Sequence, residues 1–189
     1  MSSGGRRFEV LTPETMTPEQ RTVAEAIQSG PRGAGLQGPF NALLRSPELC
    51  DLVQRVGAYV RFSSSLPPAL NELAICIVGR KWTAQFEFYA HRRLAIAAGL
   101  APAILDAVAA GRRPEELSED EEIIYDFATS LVETGQVSDA AFRRVRDRFG
   151  ERGVIDLTGA IGYYCLVSLV LNVDRVPVPE GEAPPLPPR

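Results

Sequence analysis

The chain is predicted to be all-α. Apolar residues recur at the three- and four-residue spacing of a helix in nearly every patterned segment, and Ser or Thr caps stand where several of those segments begin. No period-2 alternation of any length competes for a strand.

The first element is announced by Thr17-Pro18-Glu19-Gln20: a cap, a proline at the first helical position and a carboxylate in the first turn. This helix is expected to end near Ser29-Gly30-Pro31. The glycine-rich stretch 30–39 lacks the spacing and the terminal Lys-Ser/Thr of a phosphate loop and follows no strand, so it reads as a plain loop. Ser46-Pro47-Glu48 opens the next helix, with Leu49, Leu52, Val53, Val56, Tyr59 and Val60 as its apolar positions. Pro67-Pro68 opens another, whose apolar side carries Leu70, Leu73, Ala74, Ile77 and Val78; Gly79 and Arg80-Lys81 are expected to end or bend it. The segment around His91 follows and runs to a glycine cap at Gly99.

Pro102 opens a short helix through Ala110. Ser118 to Glu121 forms a capping box ahead of Ile123, Ile124, Phe127, Leu131 and Val132. Ser138 starts an arginine-rich helix that ends at Gly150. The last helix, from about Val154 to Leu171, is apolar on most sides and is expected in the core or in a subunit contact.

At 189 residues the chain suits one domain, placed at 17–175 between an N-terminal extension (1–16) and a proline-rich tail (176–189) expected to be irregular, on the surface or disordered. Hydrophobic residues make up 45% and mean hydropathy is −0.04, as in soluble globular proteins. The net charge of −4 argues against non-specific binding to nucleic acid or an anionic membrane. Cys50, Cys76 and Cys165 are odd in number and far apart, so they read as buried thiols, neither a disulfide framework nor a zinc site. No signal-peptide pattern follows Arg6 and Arg7, and the most apolar stretch, Val154 to Val173, contains Asp156, so a cytoplasmic, non-membrane protein is expected.

The chemistry centres on His91, the only histidine, four residues after Glu87. A helix puts both on one face, where the carboxylate can fix the tautomer of a group that titrates near neutral pH. Such a pair is also often a plain surface contact worth a few tenths of a kcal/mol. Trp82, Phe86, Phe88 and Tyr89 can wall a pocket or simply belong to core or interface.

Gly38-Pro39-Phe40, Ser46-Pro47-Glu48-Leu49, Leu66-Pro67 with Asn71-Glu72-Leu73-Ala74-Ile75, Trp82 through Glu87 to His91, and Ala98-Gly99-Leu100 stand in an order and spacing that resembles the carboxymuconolactone decarboxylase-like family over roughly residues 38–125. The resemblance implies an all-helical alkylhydroperoxidase D-like fold assembled as a homo-oligomer, a trimer or a hexamer. The redox branch of that family carries a glutamate, a Cys-x-x-Cys pair and a histidine. Counting back from His91 puts Glu72 at the glutamate, and Ala84 and Glu87 at the two cysteines. Both sulfurs are missing, so thiol peroxidase activity is not expected.

Glu72, Glu87 and His91 then resemble the non-redox side of the family. This implies a cofactor-independent lyase or isomerase acting on a small carboxylated or lactone compound of aromatic catabolism. His91 would be the general acid/base, Glu87 its orienter or proton partner and Glu72 the second carboxylate. Trp82, Phe86 and Arg80 are the expected substrate-binding residues, with Lys81, Arg92 and Arg93 as further cations for an acidic substrate. No metal is expected, since one histidine falls short of the two-histidine iron set. His91→Gln is expected to abolish turnover and leave the fold nearly intact. The competing reading is a catalytically silent helical oligomer that binds a ligand or partner, in which these three residues do not converge on a cavity.

Overall fold

The computed structural model describes residues 5–31, 33 and 35–187. The fold is all-α: among the described residues there are eight helices and no strand. In the 30–39 stretch, residues 32 and 34 lie outside the description, and the rest is loop until α2.

Helix α1 (Pro18–Ser29) starts with a closed capping box. The Gln20 N–H donates to Thr17 Oγ1 at 3.3 Å and the Thr17 N–H donates to the Gln20 side chain at 2.9 Å. The single turn α2 (Phe40–Leu43) was not anticipated, being too short to show a period. Helix α3 (Pro47–Phe62) begins where expected, but it turns Cys50, Val53, Gly57 and Val60 inward. Leu49, Leu52, Val56 and Tyr59, expected on the buried face, are exposed, Leu52 to 57%. The two stripes are offset by one residue, about 100° of helix, and both obey the same period. Periodicity alone does not say which of them meets the core.

Helix α4 (Pro68–Lys81) is the centre of the molecule. Every residue from Leu70 to Gly79 is buried, because α5 (Gln85–Ala97), α7 (Glu119–Thr134) and α8 (Asp139–Asp174) pack around it, with α6 (Pro102–Ala109) against one side. The helix ends at Lys81, within the stretch expected to end it, and Gly79 itself is still helical. Gly79 lies against the backbone of Phe88, whose amide nitrogen would be 3.4 Å from a Cβ placed there. This close approach brings one face of α4 onto α5.

Helix α8 is broken at Gly150 (φ 73°, ψ 174°), where the break separates arms 139–149 and 151–174. The second arm sends Leu157, Ala160, Ile161, Tyr164, Val167 and Leu171 into the core. It presents Ile155, Leu166, Leu169 and Val173 outward, Ile155 to 69%. An 18-residue window of this helix is apolar enough to cross a membrane by length and composition, with mean hydropathy 1.8, yet 56% of it is buried inside the fold. Asp156 in this arm is satisfied by the Ser65 N–H, the Ser65 hydroxyl and the Tyr59 hydroxyl at 2.8, 2.7 and 2.9 Å.

Both terminal segments dock. The Phe8 N–H donates to Asp174 Oδ1 at 2.9 Å, Arg6 pairs with the same carboxylate, and the Leu11 N–H donates to the Asn41 side chain. The tail is irregular, as expected, but held: Leu186 is 3% exposed, and the Gln85 side chain accepts from its N–H at 3.0 Å and donates to its carbonyl at 2.9 Å. Cys50 and Cys76 are buried, whereas Cys165 is partly exposed on α8.

Candidate active site

Glu72 comes from the buried middle of α4, and Glu87 and His91 from α5, one turn apart. Glu87 stands in the first turn of α5, where the unpaired backbone N–H groups favour a carboxylate. His91 Nδ1 lies 2.5 Å from Glu72 Oε2, and Nε2 lies 3.1 Å from Glu87 Oε1. The imidazole is thus held at both nitrogens. The two grips differ: the Glu87 contact is close but not aligned as a hydrogen bond, which leaves Glu87 Oε1 a buried oxygen without one.

Burial pushes the His91 pKa down, but the charges of Glu87 and Glu72, with their contacts to the ring nitrogens, outweigh it and raise the value to about 9. His91 is therefore an imidazolium at neutral pH. The Tyr164 ring meets it edge-on, centroids 4.7 Å apart. Burial, then the nearby Glu87 charge, raises the Tyr164 pKa well above 10, so this ring stays a neutral phenol.

A cavity of about 250 Å³ opens on one side of the imidazole. Its walls include Glu87, His91, Phe86, Arg61, Tyr163 and Tyr164; Glu72 does not line it. Of the two glutamates, only Glu87 therefore shares the cavity with the ring. Glu72 orients the ring from behind, and Glu87 faces the open space. Gly38 (φ 68°) carries the 35–39 loop across Phe86, whose ring edge would be only 3.0 Å from a Cβ at that position.

Of the expected substrate-binding residues, only Phe86 lies here. Trp82 sits on the turn after α4, 37% exposed, and its carbonyl accepts from Asn172. Arg80 lines a different cavity, since the C-terminal end of α4 is well over two turns from Glu72. The other expected cations are engaged elsewhere, Lys81 with Glu133, Arg92 with Asp106, and Arg93 with the Tyr89 hydroxyl. Phe88 is core, and Tyr89 donates to Glu182 of the tail.

Arg61, the last cation of α3, was not anticipated. It lines the cavity with a buried Nε that has no partner. Its place on the same cavity as α5 is a tertiary fact, and no local pattern marks it. Tyr163 and Tyr164 were likewise hidden within the apolar last helix.

Cys76 is buried, and its thiol is pushed well above its ordinary value by burial first and then by Glu72 and Glu87. A thiol so placed does not form a thiolate nucleophile. Among the described residues no three His, Cys, Asp or Glu side chains are placed to hold a metal ion. The ring itself stands between the two carboxylates, which occupy both of its nitrogens. The chain matches no protein-family model and no curated protein.

Proposed function

We propose that this cavity carries out cofactor-independent proton transfer on a small carboxylated or lactone-type compound, a decarboxylation or isomerisation of the carboxymuconolactone decarboxylase type. The observation that carries the reading is an imidazolium gripped by two buried carboxylates on the wall of a cavity. Loss of carbon dioxide beside a carbonyl, or migration of a double bond beside a lactone, passes through an enolate that must be protonated at carbon. His91 is charged for that task at neutral pH. Glu72 retains the Nδ1 proton at 2.5 Å, so the proton on Nε2, held less well by Glu87, is the one handed over. The neutral ring is then reprotonated at Nε2 by solvent entering the cavity, and the Glu87 carboxylate beside that nitrogen stabilises the restored charge.

Arg61 would hold a carboxylate that stays on the substrate, because its buried Nε can only donate. A volume of about 250 Å³ suits a small molecule. The buried, protonated thiol of Cys76 speaks against the peroxidase alternative.

A homo-oligomer, a trimer or a hexamer, is part of the proposal. Its support is the exposed apolar surface of α3 and α8, with Leu49, Leu169 and Val173 around a groove of about 350 Å³. Turnover should be measured across a panel of lactones and β-keto acids, alongside native mass. At least one compound is expected to turn over, about a thousandfold more slowly in His91→Gln, with KM raised about tenfold in Arg61→Gln. No turnover anywhere in the panel, or full turnover in His91→Gln, would leave a helical oligomer without this catalyst.

A further inference from the structure

A second cavity, about 280 Å³, lies at the C-terminal ends of α4 and α6 beside α7. Its charged walls are Arg80, Lys81, Arg112 and Glu133, and Thr129 adds a hydroxyl. Lys81 and Glu133 pair at 2.8 Å, which leaves the charges of Arg80 and Arg112 uncompensated by that pair. The Arg80 Nη1 donates to the Pro187 carbonyl at 3.2 Å, but its Nε is buried with no partner. Thr129 Oγ1 is also buried and unpartnered. Two orphaned polar atoms on one cavity are costly, most of all where one belongs to a cation.

The missing partner has a definite chemistry. A guanidinium has no lone pair, so whatever satisfies Nε must accept a hydrogen bond, and a hydroxyl can donate to the same acceptor. Two uncompensated positive charges favour an anion, and a guanidinium matches the spacing of phosphate or carboxylate oxygens. We propose that this cavity is a binding site for a small oxyanion, with Arg80 Nε and Thr129 Oγ1 as its buried donors and Arg112 closing it from the rim. The site shares no lining residue with the His91 cavity and does not depend on the proposed catalysis.

The test is calorimetric titration of the full chain with inorganic phosphate, and separately with succinate, each at constant ionic strength. At least one is expected to bind at submillimolar concentration, with affinity reduced about tenfold or more in Arg80→Gln and severalfold in Thr129→Val. Phosphate binding alone assigns the site to phosphoryl ligands, and succinate binding alone to carboxylates. Arg55→Gln, an exposed cation on α3, controls for net charge and should bind as the parent does, and any binding that Arg61→Gln removes belongs to the other cavity. Thr129→Val keeps the side-chain volume, so it decides the matter if Arg80→Gln does not fold. Absence of binding by both anions up to about 10 mM, or binding that Thr129→Val leaves unchanged, would overturn the proposal.

Discussion

His91→Gln is expected to lower the stability of the fold by about 3 kcal/mol near neutral pH, because it removes the one cation lodged between two buried carboxylates. The geometry replaces the simpler expectation of a silent substitution: glutamine fills much of the space but brings no charge, and Glu72 and Glu87 are left with no cation between them. The pH dependence has a definite sign. The folded-state pKa of His91 is raised to about 9 from an ordinary 6.5, so its stabilising contribution is complete below pH 6.5 and is lost as pH rises through about 9. Urea denaturation of parent and variant across this range should show the gap widest at the acid end and closing towards pH 10. A gap that is absent, or constant with pH, would mean that the imidazolium does not compensate the glutamates.

Phe88→Ala should cost about 4 kcal/mol, the usual scale for an aromatic side chain removed from a packed interior. Phe88 is fully buried, follows Glu87 directly, and lies against Gly79 where α5 packs on α4. The void would loosen the contact that keeps Glu72 within reach of His91, so the variant is expected to lose proton-transfer activity as well as stability. Denaturant midpoints, compared with those of an exposed control away from the α3–α8 apolar surface such as Val10→Ala, would check it. Equal losses at the two positions would contradict the placement of Phe88 in the core.

Much of this architecture can be read from local chemistry. The cap at Thr17, the capping box at Ser118, the prolines at 18, 47, 68 and 102, and the glycines at 99, 111 and 150 mark starts and stops that the structure keeps. What escapes is whatever depends on a neighbour. Helix α3 carries two apolar stripes, and only the packing of the rest of the chain selects Val53 and Val60 over Leu52 and Val56. The tail looks unstructured by composition, yet Gln85 supplies both hydrogen bonds that seat Leu186.

The same division runs through the site. The Glu87–His91 pair is visible as an i, i+4 spacing within one helix, whereas Glu72, nineteen residues before His91 on another helix, has no local spacing that ties it to the ring. That Glu72 stands behind the ring while Glu87 faces the cavity depends on how α4 crosses α5. Arg61, Tyr163 and Tyr164 join them from α3 and α8, far away in the chain. Arg80 and Trp82 are close to His91 in sequence and on other surfaces in space, because α4 ends a long way from Glu72 and the turn to α5 points outward.

A chain with one histidine offers a direct reading of that residue's charge. Proton NMR of the full-length protein should show a single imidazole Cε1–H resonance whose shift can be followed from pH 5 to 10.5. A midpoint near 9 is the expected result for a ring clasped by two carboxylates in the interior. A midpoint at or below 6.5 would contradict it, leaving a neutral ring unable to donate the proton on which the proposed chemistry depends.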